Sequence, residues 1–127
     1  KTLGDPAKLP WCGDFAETCI ATALPNEVLP VNPYFARNWA KWGTPSTPSY
    51  GDVLVFERGP KNGHVGFYYA EDKTHFHVLG GNQSNQISVA RVAKSRLLAS
   101  RAPLTGGPYR SIKVQVAANG AVSTNEA

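Results

Sequence analysis

The feature that most constrains the fold of this chain is a change of pattern at Gly51. Before it, apolar residues recur at helical spacing; after it, they come in short runs rich in β-branched and aromatic residues, bounded by turn formers. Such a pattern predicts an α+β domain, with N-terminal helices packed on a small antiparallel sheet. Phe15, Cys19, Ile20, Ala23 and Leu24 predict an amphipathic helix from Cys12 to Ala23, entered after Pro10 and stopped by Pro25. A second helix is predicted over Tyr34 to Trp42, with Asn32 as cap, Pro33 in its first turn and Gly43 as its end. Its Trp39 and Trp42, three apart, are expected to pack against the sheet. Thr44 to Ser49 reads as loop, and Val53 to Phe56, apolar on both faces, reads as a central strand. Arg58 to Gly63 makes the hairpin connection to a return strand, His64 to Tyr69. Further strands are expected at His75 to Leu79, Gln86 to Ala90 and Leu97 to Arg101, with an irregular stretch from Gly80 to Asn85.

At 127 residues the chain is long enough for one domain with a substantial core, assigned here to residues 1–110. Residues 111–127, small and polar with little periodicity, are expected to form a tail or linker. The 42% hydrophobic and 17% charged content is that of a globular protein. No apolar stretch reaches the roughly 18 residues of a membrane span, and the basic-then-apolar pattern of a secretory signal is missing. The start at Lys1 and the lack of methionine suggest a processed product or excised domain, so further domains are expected beyond the chain ends. The net charge of +4 is spread along the sequence. That argues against nucleic acid as a partner and suits a soluble monomer acting on an anionic polymer.

Chemistry concentrates at two residues. Cys12 lies in Trp11-Cys12-Gly13-Asp14-Phe15 at a predicted helix start, where the helix dipole and free backbone N–H groups favour a thiolate and can hold an oxyanion. Gly13 beside it is expected to leave access. His64 opens the run His64-Val65-Gly66-Phe67-Tyr68, where Gly66 is expected to leave room on its face; an imidazole there suits proton transfer to and from a thiol. Cys12 and Cys19 fall on one helix about 10 Å apart, beyond the roughly 7 Å limit for a disulfide. Both are therefore expected free, with Cys19 packed inward.

Five blocks in order, Pro10-Trp11-Cys12, Phe35 to Trp39 with Trp42-Gly43, Gly51 to Phe56, Gly63 to Tyr68, and Leu79 to Asn85, resemble the phage-associated CHAP-type cysteine amidohydrolases. The resemblance spans roughly residues 10 to 103. It implies a papain-like fold and cysteine-dependent cleavage of an amide bond in bacterial peptidoglycan, by an amidase or a stem-peptide or crossbridge endopeptidase. It also implies a catalytic cysteine, a histidine on a strand, and a polar third residue after the next strand. These fall on Cys12, His64 and Asn82. An amide oxygen at Asn82 would fix the tautomer of the histidine, although asparagine after two glycines is also an ordinary turn residue. His77 is the alternative third residue. Trp11, Tyr50 and Tyr68 are candidate substrate contacts, and Trp11 or Tyr50 a candidate second oxyanion donor beside the Cys12 N–H. No cofactor or metal is required, and the place of action would be the cell wall, in the periplasm or outside the cell, with a phage or a secretion system as the expected means of delivery.

Two other classes compete. His75-Phe76-His77 with His64 and Cys12 offers ligands for zinc, but lacks the second histidine-aspartate motif of wall-cutting zinc peptidases. A non-catalytic wall-binding or phage-structural module that kept the fold could use Trp39, Trp42, Tyr68 and Tyr69 on sugars, though aromatics at these spacings more often form core.

Overall fold

The computed structural model describes residues 11–81, 86–105 and 112–117. One α-helix, α1 (Trp11–Ala23), precedes six strands: β1 (Thr44–Pro45), β2 (Val53–Arg58), β3 (Asn62–Glu71), β4 (His75–Gly81), β5 (Ile87–Ala93) and β6 (Leu97–Ala102). All pair antiparallel in a single sheet of order β1-β6-β2-β3-β4-β5. The domain is thus mostly sheet with one α-helix, a mixed architecture of the kind the sequence pattern predicts. No helix is long and apolar enough to cross a membrane among the described residues.

The sheet separates two apolar clusters. On one face Val53, Val55 and Val65 meet Ala16 and Ile20 of α1, and Cys12 packs against the edge of this cluster. Cys12, Ala16 and Ile20 are four apart, so one stripe of the helix faces the sheet. Phe15 adds an edge-on contact to Phe67, ring centroids 6.1 Å apart. On the other face Leu54, Phe56, Tyr68, Phe76, Val78 and Val92 form the second cluster. The run Val53 to Phe56 is buried throughout and β2 lies between β3 and β6, as a doubly apolar strand requires.

The predicted second helix is a 3₁₀ helix, Ala36–Lys41. Ala36, Trp39 and Trp42 all belong to the first cluster. At three residues per turn these positions eclipse, whereas an α-helix would fan them apart. The indoles fix the geometry further, Trp39 donating to the Pro33 carbonyl at 2.8 Å and Trp42 to that of Val28 at 2.7 Å. Both tryptophans are core, not sugar platforms. Thr44 and Pro45, expected in a loop, form the edge strand β1 against Ala102 and Arg101. Proline is tolerated there because an edge N–H needs no partner.

The expected tail is partly built into the fold. Over residues 112–116 it runs along Glu71: Glu71 N–H donates to Val114 O at 2.7 Å, Val116 N–H returns to Glu71 O at 2.9 Å, and Val114 N–H donates to the Tyr68 hydroxyl at 3.0 Å. Residues 118–127 lie outside the described residues.

Gly66 also differs from expectation. It leaves no space for chemistry, because a Cβ there would sit 2.5 Å from Val78 Cγ1 and 2.8 Å from Leu79 O. The gap is filled by β4. Gly66→Ala is accordingly expected to cost about 1–3 kcal/mol through overpacking, measured by urea denaturation. Unchanged stability would show that β3 and β4 are less tightly joined.

Candidate active site

Cys12 is the second residue of α1, and its carboxyl-terminal half is located by a cavity of about 600 Å³ between Cys19, Leu24, Gly51, Asp52 and Phe67. That end of the helix therefore abuts the start of β2. The amino-terminal end points toward the other rim of the sheet, where Phe56 of β2 pairs with His64 of β3.

A second set of contacts brings the same two regions together. A Cβ on Gly13 would overlap Pro33 O and come within 2.8 Å of Tyr34 Cα. A Cβ on Gly63 would lie 2.9 Å from Arg37 Cγ and 3.5 Å from Ala36 Cβ. The residues next to Cys12 and next to His64 are thus both pressed against one segment, 33–37. Arg37 fastens it from the other side, donating through Nε to Asn62 O and through a terminal nitrogen to Gly59 O, each at 3.0 Å. Gly13 is a packing residue, contrary to the expectation that it opens access to the thiol.

The direction of the His64 side chain is set by strand alternation. Val65 faces α1, so His64 leaves the sheet on the face of the second cluster, where its ring stacks on Phe56 at 6.4 Å. Gly80 of β4 borders it: a Cβ there would be 3.7 Å from both Cε1 and Nε2. His64 is 8% exposed, and its Nδ1 is buried with no hydrogen-bond partner among the described residues. Among the described residues no hydrogen bond joins it to Cys12. Burial first, then the positive charges of Arg58 and Arg96, push its pKa down from 6.5 to about 4. The resting imidazole is neutral, which suits a proton acceptor.

This neutrality has a pH signature. A base whose folded pKa is depressed binds fewer protons than in the unfolded chain between about pH 4 and 6.5, so stability falls as pH drops through that window. Lowering the folded pKa from 6.5 to about 4 corresponds to about 3 kcal/mol. Denaturation at pH 7 and pH 4 is expected to show this loss, and His64→Gln to remove that part of it; equal losses in both proteins would refute the assignment.

The other candidates fall elsewhere. Asn82 lies outside the described residues. His77 cannot orient His64: it pairs with Ala70, six residues along β3 and so about 20 Å away. Its Nε2 instead meets Asp72 Oδ2 at 2.7 Å, and His75 Nδ1 contacts Thr74 Oγ1 and an Arg91 nitrogen at 2.7 and 2.9 Å. Arg91 Nε donates to the same Asp72 oxygen at 3.0 Å, so both histidines belong to a polar network around Asp72, and no group that could hold a metal is found among the described residues. Tyr68, 1% exposed, is a core residue whose hydroxyl donates to Glu71 at 2.6 Å, which removes it as a substrate contact. Tyr50 is exposed and lines the cavity at the Cys19 end of α1, the end of the helix away from Cys12. Cys12 and Cys19 are both free, and burial pushes the Cys19 thiol pKa up, away from the reactive form. Arg58 and Arg96 escaped the sequence reading; only the alternation of β2, which puts Arg58 on the face of Phe56, carried a signal for either.

Residues 4–82 match the family model of the CHAP domain, more than half of the chain, and the chain belongs to that family. CHAP domains are typically cysteine- and histidine-dependent amidohydrolases or peptidases, and membership places this chain with the peptidoglycan hydrolases. No curated protein and no solved structure matches it.

Proposed function

We propose that this protein hydrolyses an amide bond of peptidoglycan by acyl transfer through Cys12. The observation that carries the reading is the convergence of Gly13 and Gly63, the neighbours of Cys12 and His64, on residues 33–37. In this scheme the neutral His64 accepts the thiol proton as sulfur attacks the carbonyl carbon of the stem peptide. The Cys12 N–H at the start of α1 stabilises the oxyanion. Collapse of the tetrahedral intermediate breaks the C–N bond, with His64 returning the proton to the leaving amine. Water, deprotonated by His64, then cleaves the thioester and regenerates the thiol. Asn82 is the third member, chosen because it directly follows β4, whose Gly80 borders the His64 ring. The substrate is the wall of a bacterium, met in the periplasm or outside the cell, and a phage lytic enzyme fits this role. Mass spectrometry of fragments released from purified sacculi tests the reading and identifies the bond; no release by the intact protein would overturn it.

One observation favours a second reading. The His64 ring leaves the sheet on the face away from α1, so a wall-binding module that kept the fold without turnover is the alternative. In that case Cys12 would react with iodoacetamide no faster than a free thiol, and sacculi would be bound intact.

A further inference from the structure

Beside His64 the sheet rim carries a concentration of positive charge that the acyl-transfer scheme does not use. Arg58 follows Phe56 by two positions in β2 and so shares its face, the face on which the His64 ring stacks. Arg96, in the turn before β6, is drawn to the same place by its Nε bond to Glu57 O at 3.1 Å. The two arginines, with Glu57, Gly59 and Pro60, line an open cavity of about 400 Å³. Alternation sends the Glu57 side chain to the opposite face, with Val55, while Arg58 keeps the histidine face.

Guanidinium groups grip planar oxyanions through paired N–H donors, and a carboxylate is the matching partner. Wall sugars carry mainly hydroxyls and amides, whereas the stem peptide carries free carboxylates on its acidic residues and at its terminus. Two arginines at the rim next to the proposed base would fix which carbonyl is presented to the thiol. We propose that Arg58 and Arg96 form a substrate subsite that binds a free carboxylate of the peptidoglycan stem peptide, adjacent to His64. The subsite rests on the hydrolase reading for its placement in a reaction, but binding alone can test it.

The experiment uses the full chain carrying Cys12→Ala, titrated by NMR or calorimetry with synthetic stem peptides. Arms of the series amidate the side-chain carboxylate, the terminal carboxylate, or both, which identifies the source of the anion. Arg58→Gln and Arg96→Gln are each expected to weaken binding of the free-acid peptide about tenfold. They should leave binding of the correctly amidated peptide unchanged, and Arg58→Lys should recover part of the loss. On sacculi, with Cys12 restored, the same changes should raise KM with little effect on kcat. Arg96 also braces the turn through Glu57 O, so the melting temperature of each variant is measured beside its affinity. Equal affinity for free-acid and amidated peptides, no binding of either, or a loss in Arg58→Gln that amidation does not abolish would overturn the subsite. Coupled binding without fragment release would instead overturn the hydrolase reading and leave the subsite standing. Normal Cys12-dependent release by Arg58→Gln at unchanged KM would do the reverse.

Discussion

Cys12→Ala is expected to lower release of soluble fragments from sacculi by at least about a thousandfold, because the proposed reaction has no covalent route without the sulfur. The magnitude separates chemistry from folding. Cys12 is only partly buried at the edge of the first cluster, so removing its sulfur leaves Ala16, Ile20 and the valines beneath them in contact. The melting temperature should therefore move little while activity vanishes. Cys19→Ala supplies the control: this thiol lines the cavity at the far end of α1, about 10 Å along the helix, and its loss should leave fragment release within about twofold of the parent. A Cys12→Ala protein that still releases fragments would eliminate the thiol mechanism, whatever became of the fold.

The largest effect on stability is expected at Asp72. Its side chain is 2% exposed and accepts from His77 Nε2 at 2.7 Å, Arg91 Nε at 3.0 Å, and the Thr74 and His75 N–H groups at 2.9 and 3.0 Å. Burial alone would raise the carboxyl pKa; the bonds from Arg91, His77, Thr74 and His75 overcome it and hold the group well below the usual carboxylate range. A depressed acid stabilises the fold above its unfolded pKa and loses that contribution as pH falls through and below it, so at neutral pH the full effect is present. Asp72→Ala would leave the buried His77 and the Arg91 guanidinium without their anion, at a cost of about 3–5 kcal/mol. For a domain of this size that is a fall of about 10 °C or more in melting temperature. Because His77 is about 20 Å from His64, the fraction that remains folded should cut sacculi at the parental rate. A loss below about 1 kcal/mol would mean that water replaces the carboxylate at this position.

The elements legible in the sequence were those whose residues carry one unambiguous period. Val53 to Phe56 reads as an interior strand, and Phe15, Cys19, Ile20, Ala23 and Leu24 as a helix, although the stripe of that helix that meets the sheet is Cys12, Ala16 and Ile20. The 3₁₀ helix was invisible because Ala36, Trp39 and Trp42 satisfy a loose helical spacing as well as an eclipsed one. What decides between them is the pair of indole bonds to Pro33 and Val28, a tertiary matter. Thr44-Pro45 escaped because two residues with a proline carry no strand signal of their own.

At the candidate site, residue types were readable and neighbourhoods were not. Gly13 and Gly66 look from sequence like space made for a thiol and an imidazole, yet each is closed by backbone or side chains from a segment more than ten residues away. Tyr68 and His77 have the right chemistry for a site. Alternation and register consign one to the second cluster and the other to the Asp72 network at the far end of β3. Arg58 and Arg96 gain meaning only because β2 and the turn before β6 meet at His64.

The strand order has a bearing on how the molecule is made. β6 inserts between β1 and β2, so Val53 to Phe56 gain their second hydrogen-bonded neighbour only when residues 97–102 have left the ribosome. The stretch that carries the family signature ends at residue 82, before that strand begins. A polypeptide stopped there would keep both proposed reactive groups and present the most apolar ribbon of the protein with a bare edge, ready to pair with another nascent chain. Truncations meant to isolate the domain should therefore retain the chain through residue 116, where the final segment is tied back to Glu71.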